Sequence, residues 1–247
     1  MNPLERFSDR AQVYARCRPT YPEQALDAAL AGAPPGVAAD VGAGTGISAR
    51  LLARRGRQVI AIEPNLAMRE EGMRVPDPMI RWLDGTGERT GLDSASVALV
   101  LCAQAFHWLR ADEALAEFRR ILIPGGRAAI AWNIHDLKDP ATSAFRAAIL
   151  RHCTDPPTSP WFTQTRCALV GALGWSACRE FRFGHEQLLD RDGLVGRAMS
   201  ASYMPTSGPQ GYAARRDIEA VFDAHQQGGI FAFRLVCEVY AAERLSD

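Results

Sequence analysis

Along this chain, apolar runs of strand length take turns with stretches whose apolar residues recur every three or four positions. The runs open at Val37, cover residues 58–63 and 79–83, and continue through 96–103 and 127–133. The run SVALVLCA at 96–103 carries almost no polar residue, as expected of a parallel strand buried on both faces. Helical spacing fills the intervals at 47–55 (stopped by Gly56), 65–72 and 112–122, where Leu115, Phe118, Ile121 and Leu122 fall on one face. Ahead of the first run, residues 10–18 read as a helical or turn segment broken by Pro19 and Pro22. A helix from Glu23 to about Ala31 and a turn at Gly32–Gly36 follow. Leu122 to Gly126, L-I-P-G-G, reads as a turn into the fifth run. Beyond residue 136 the pattern predicts helices over 140–152 and 161–173 around a proline-rich loop at 154–160. A strand over 181–189, a helix over 191–203, a loop at 205–211, a helix over 212–226 and a strand over 230–240 complete it. Strands alternating with helices make this an α/β chain.

The first run breaks at Gly42, Gly44 and Gly46 and resumes as an amphipathic helix. Strand, glycine turn and helix start form a mononucleotide-binding unit by simple mechanics. Glycine lets the backbone turn sharply and lets a ligand approach with no Cβ between them. Asp40 stands at the strand's end, where an open α/β sheet puts its ligand crevice. The dinucleotide fingerprint requires a glycine at the sixth position of its loop. Counted from Gly42 that position is Ile47, and the spacing is G-x-G-x-G instead. Glu63 closes the second strand about twenty residues after the loop, from where an acceptor-only carboxylate can take both hydroxyls of a ribose.

Five stretches then follow in order: D-V-G-A-G-T-G from Asp40, Glu63 after its strand, D-G-T-G-E at 84–88, A-Q-A-F-H-W-L at 103–109, and L-I-P-G-G at 122–126. Together they resemble the class I S-adenosylmethionine-dependent methyltransferases, in the branch that includes trans-aconitate-type and quinone-biosynthesis-type small-molecule enzymes. The resemblance covers residues 10–135 motif by motif, and the remainder by strand order alone. It implies a Rossmann-like, seven-stranded, mostly parallel sheet with an antiparallel last strand, helices on both faces and a small helical cap. Residues 1–36 would form a lid and helix, 37–135 the cofactor-binding core, and 136–247 the rest of the same domain with the acceptor-side cap.

The resemblance implies S-adenosyl-L-methionine as cofactor, with Asp40, Gly42, Ala43, Gly44, Thr45 and Gly46 along its methionine part and Glu63 and Pro64 at its ribose. The adenine loop is Thr86, Gly87 and Glu88. Where many relatives carry an acid this chain has Thr86, so Glu88 or Asp84 could serve instead. Ala103 and Gln104 would lie along the cofactor, and Tyr14 and Arg18, in a run with Pro19, Tyr21 and Pro22, would fold over the pocket. His107 and Trp108 would stand at the mouth of the acceptor pocket, with His107 as general base if the acceptor must lose a proton. Trp132, Asn133 and His135 could line the pocket, with core packing the first reading for Trp132 and solvent for His135. Arg18 and Arg197 are possible anchors for an acidic acceptor.

Composition narrows the partners. Formal net charge is zero, with 28 basic and 28 acidic residues, and no block of like charge suggests a nucleic-acid tail or a membrane patch. Six scattered cysteines form no C-x-x-C pair and no metal-binding cadence, which fits reduced packing residues and no metal site. The first residues, MNPLERFSDRAQVY, are too charged for a signal peptide, and no apolar run reaches membrane-spanning length. The expectation is a cytoplasmic monomer or homodimer that methylates a small molecule, at a carboxylate or hydroxyl oxygen or at carbon. A catalytically silent cofactor-binding regulatory protein, a nicotinamide-dependent oxidoreductase and a nucleic-acid methyltransferase are the competing readings.

Overall fold

The computed structural model describes residues 11–153 and 168–246. Helices α1 (Ala11–Cys17) and α2 (Glu23–Leu30) precede the first βα unit, β1 (Ala38–Val41) with α3 (Ile47–Arg54). Next come β2 (Val59–Ile62), α4 (Leu66–Met73), β3 (Ile80–Leu83), β4 (Val97–Ala103) and a 3-10 turn at Phe106–Trp108. α5 (Ala111–Ile121) runs into β5 (Leu122–His135). The late elements are α6 (Pro140–His152), β6 (Arg179–Leu189), α7 (Arg191–Met199), α8 (Gly208–His225) and β7 (Phe231–Glu243).

The strands form one seven-stranded sheet in the order β3-β2-β1-β4-β5-β7-β6. The first five are mutually parallel, and β7 runs antiparallel between β5 and β6. This is the Rossmann-like, mostly parallel α/β sheet with an antiparallel last strand that the sequence led us to expect.

Alternate strand residues enter opposite cores. Val41 and Cys102 pack with Phe118 and Ile121 of α5 on one face; Ala38 and Leu101 pack with Leu26 of α2 and Leu52 of α3 on the other. A strand covered on both faces has no solvent side, which is why β4 is buried at every position and reads as an unbroken apolar run. A third core joins Phe145 and Ile149 of α6, Leu194 and Ala198 of α7, and Ile218 and Phe222 of α8 to Phe231 and Phe233 of β7. Leu235 of β7 pairs with His135, the last residue of β5, so this helical cluster is built at the carboxyl edge of the parallel strands. Side chains fix where its helices start: Asp139 accepts from the Thr142 N–H at 2.7 Å and Asp190 from the Gly193 N–H at 2.7 Å.

Three expectations need correction. Leu122–Gly126 is not a turn ahead of the strand but the bulged start of β5. Val97 pairs with Leu122 and Leu99 with Arg127, so the segment between loops out of the ladder. Pro124 has no N–H to give the ladder, and Gly125 takes a φ of +72°. The helix expected over 161–173 lies partly outside the described residues, and 168–171 form turns. Finally, α7 ends at Met199 rather than 203, and α8 begins at Gly208, inside the expected loop, with Pro209 in its first turn. Among the described residues, no helix is long and apolar enough to cross a membrane.

Candidate active site

Sheet order reverses between β1 and β4, and a crevice opens at the carboxyl ends of such strands. Here it is a cavity of about 690 Å³. Gly42, Ala43, Gly44 and Thr45 form part of its wall. The three loop glycines have φ values of +70°, +57° and +81°. At Gly42 the requirement is double, because an added Cβ would also lie 2.4 Å from the Ala105 Cβ of the segment after β4. Gly46 does not reach the cavity wall; it turns under Trp82, whose ring an added Cβ would meet at 2.9 Å.

Asp40 does not reach the wall either. It is fully buried below the loop and accepts the Ser48 hydroxyl at 2.7 Å. Burial pushes its carboxyl up to about 7, against the pull of the Ser48 hydrogen bond. Asp40 therefore braces the loop against α3.

Glu63, beyond the end of β2, is 8% exposed and stands on the cavity wall. One carboxylate oxygen accepts the Gly44 N–H at 2.8 Å and the other the Asn65 N–H at 2.9 Å. Burial raises its pKa, while these two N–H groups oppose the rise. Pro64 adjoins it on the wall, and Asn65 caps α4 by accepting from the Met68 N–H at 3.1 Å.

After β3, Thr86, Gly87 and Glu88 line the cavity, whereas Asp84 does not and pairs with Arg69 at 3.4 Å. The Thr86 hydroxyl accepts the Arg89 N–H at 3.2 Å, and Glu88 accepts the Arg110 N–H at 2.8 Å, at the foot of α5. Leu109 packs so closely on Gly87 that an added Cβ would lie 2.4 Å from it.

Ala103 ends β4 and Gln104 follows it, both on the wall. Gln104 holds a φ of +58°, which a non-glycine residue adopts at a cost on the order of 1 kcal/mol or more. It is kept there by its own N–H to the Ala131 carbonyl at 2.9 Å and its amide to the Asn133 carbonyl at 3.0 Å. The next residues form the 3-10 turn that presents His107 to the cavity, its ring 4.6 Å from Trp108 and 5.4 Å from Trp132. Trp132 itself is fully buried, as core.

The far wall gathers residues distant in sequence. Tyr14 and Arg18 face the cavity, the guanidinium 4.7 Å over the Tyr14 ring and donating to the Ser200 carbonyl at 3.3 Å. Asn133 donates to the Thr20 carbonyl at 3.0 Å and shares a 2.8 Å hydrogen bond with His185, which ties the leading segment to β5 and β6. His135 is not a solvent residue. Its ring packs 5.0 Å from Phe233 and 6.1 Å from Phe145, and burial, then Arg197, Arg146 and Arg18, hold its pKa well below the usual imidazole range. Arg146, Arg197 and Tyr203 complete this end. Sequence reasoning missed Arg146, on a helix that carries no motif, and Tyr203, in the turn after α7, and named Arg197 without a place for it.

Comparison with known proteins agrees with this geometry. Residues 39–130 match a family described as a methyltransferase domain. An uncharacterised methyltransferase of Mycobacterium tuberculosis is 41% identical over 130 residues, 53% of this chain and 53% of that protein, so the match spans about half the length of such relatives. An uncharacterised methyltransferase of Geobacillus kaustophilus is 30% identical over 158 residues, covering 59% of this chain and 72% of its own length. A solved structure, a proposed type II methyltransferase from Anaeromyxobacter dehalogenans, shares the fold with a TM-score of 0.66 at 22% identity, over 93% of this chain and 99% of that one.

Proposed function

We infer that this chain, which belongs to the class I S-adenosylmethionine-dependent methyltransferases, transfers a methyl group from S-adenosylmethionine, the cofactor of that family, to a small-molecule acceptor. The observation that carries this reading is the Glu63 carboxylate, buried on the cavity wall with each oxygen fixed by one backbone N–H. Each oxygen keeps a second lone pair, so the pair can take the two ribose hydroxyls without moving. Thr45 adds to the fit. It is 1% exposed on the same wall, and its hydroxyl has no hydrogen-bond partner among the described residues. A buried hydroxyl left unpaired is costly, and a polar ligand would satisfy it.

When bound, the cofactor supplies a sulfonium methyl group open to in-line displacement. The chain's own part is to bind, align and exclude water. Thr86, Gly87 and Glu88 hold the adenine end, Ala103 and Gln104 run alongside, and Tyr14 and Arg18 close over the methionine end. Helices α6 and α7 cap the acceptor. His107 accepts the proton where the acceptor atom carries one, as a hydroxyl or carbon acid does; a carboxylate acceptor leaves it a positioning role.

Calorimetric titration with S-adenosylhomocysteine, with NAD in parallel, tests the reading. Saturable binding of the first alone is expected, followed by transfer of labelled methyl to a member of an acceptor screen. Binding of NAD, or of neither, would overturn it. Binding without transfer to any acceptor would instead describe a regulatory protein.

A further inference from the structure

Among the described residues two arginines are buried, and their surroundings differ. Arg127, 1% exposed, reaches Glu243 at 3.3 Å and donates to the Ala28 carbonyl at 3.4 Å. Arg197 of α7 is 6% exposed, with no ion pair among the described residues, and its Nε and Nη1 are buried without an acceptor. Its contacts are the face of Phe233, 4.3 Å from the guanidinium carbon, and the like charge of Arg18. Burial first and Arg18 second lower its pKa to about 9, so it remains a cation at neutral pH. A buried cation without a partner costs several kcal/mol, and structures keep one where something else completes it.

What could complete it enters through the cavity. Arg197 lines that cavity together with Arg146 of α6, and both act on His135 between them. The two carboxylates among the described wall residues belong to the opposite end, Glu63 hydrogen-bonded to Gly44 and Asn65, Glu88 to Arg110. Arg146 and Arg197 stand on the helices built over the carboxyl end of β5, across the switch point from the glycine loop.

We propose that Arg197, with Arg146, binds an oxyanion on the methyl acceptor, a carboxylate or phosphate group of a small molecule, at the α6–α7 end of the cavity. This rests on the methyltransferase reading above and adds the acceptor's class to it. The guanidinium is preset for such a group: packed on Phe233, it loses little freedom on binding.

The test titrates the full chain with S-adenosylhomocysteine to saturation, then with succinate, benzoate and inorganic phosphate, with succinamide and benzamide as uncharged counterparts. At least one anion should bind while the amides do not, and whether it is a carboxylate or phosphate names the source. Arg197→Met should weaken that binding by about tenfold or more and Arg146→Gln by roughly threefold, as losing charged hydrogen bonds would. Both variants should hold S-adenosylhomocysteine within about twofold of the parent. Loss of S-adenosylhomocysteine affinity in Arg197→Met with anion binding intact would assign the guanidinium to the cofactor and overturn the proposal. Equal binding of the amides, or no binding of any anion, would also overturn it. Should Arg197→Met fail to fold, Arg146→Gln, at a half-buried position, decides between these outcomes. If the parent does not bind S-adenosylhomocysteine, the methyltransferase reading falls instead, and anion binding by the free chain is then scored by the same arginine variants.

Discussion

The two ends of the cavity are made from different kinds of atoms. At the β1–β2 end, the wall is mostly backbone: a loop of positive-φ glycines, two N–H groups and one carboxylate they hold. Gly44 and Glu63, which meet there, are 19 positions apart. At the β5 end the wall is side chains from α1, α6, α7 and the tail of β5. Arg18 and Ser200, which meet there, are 182 positions apart. The first end is a short-range device that any acceptor specificity can share. The second is assembled only when the whole chain has folded, and it can be rewritten one side chain at a time without disturbing the first.

The largest way to test that contrast is pH, through the carboxylate that braces the loop. The Asp40 carboxyl is raised by burial to about 7, from an unfolded value of 3.8. The folded protein therefore holds this proton more tightly than the unfolded chain, and the sign follows: between those two values stability falls as pH rises. Below the window the group costs nothing; above it the cost is complete, on the order of 4 kcal/mol. Asp40→Asn keeps an acceptor for Ser48 and has no charge to bury. Denaturant melts of parent and variant from pH 4 to pH 8 should diverge, the parent losing stability that the variant keeps. Parallel curves would mean that Asp40 is not a buried acid beneath the loop.

Next in size is Gly42→Ala. It asks a Cβ to take a φ of +70° and to lie 2.4 Å from Ala105. A strained φ of this kind costs about 1–3 kcal/mol, so S-adenosylhomocysteine affinity should fall by up to about a hundredfold with the far wall intact. Unchanged affinity would mean that the loop does not need its observed shape. Glu63→Ala comes after it. Loss of hydrogen bonds to a charged group predicts affinity lower by about thirtyfold, while Glu63→Gln, which keeps one acceptor, should lose less. If anion binding at the Arg197 end falls in step with either variant, the two ends are one coupled site and the comparison breaks.

The same contrast explains what the sequence made legible. Strand, glycine turn, acid and A-Q-A-F-H-W are each continuous or nearly so, and each is dictated by a local backbone need, so the glycine-loop end of the cavity could be read from spacing. Asp40 and Gly46 were expected along the cofactor and stand off the cavity wall, because a loop motif does not say which of its residues face outward. Burial under Ser48 and under Trp82 decides that. Arg146 and Arg197 sit in helices whose pattern reports only their apolar faces. Nothing in the spacing shows that α6 and α7 converge on the end of β5, or that one of 28 basic residues would be buried there with no ion pair among the described residues. The L-I-P-G-G stretch has the residues of a turn, and those residues suit a bulge equally well, since both exploit the missing N–H of proline and the free φ of glycine.

His107 stands where the two ends meet, and its variant should have the smallest effect on binding while still touching the chemistry. It follows β4 closely, as Gln104 does, yet its ring packs beside Trp108 and Trp132 on the cavity wall. If it serves the acceptor, His107→Ala should leave S-adenosylhomocysteine affinity within about twofold and lower kcat by about tenfold, the low side of what a general base contributes. The pH profile separates its two roles. A general base should give the parent a rising acidic limb that the variant lacks. A residue that only orients the acceptor should raise KM and leave the profile's shape alone. An equal loss of cofactor affinity and turnover would put His107 with the glycine loop, and the division between the two ends would then lie beyond it, at Asn133.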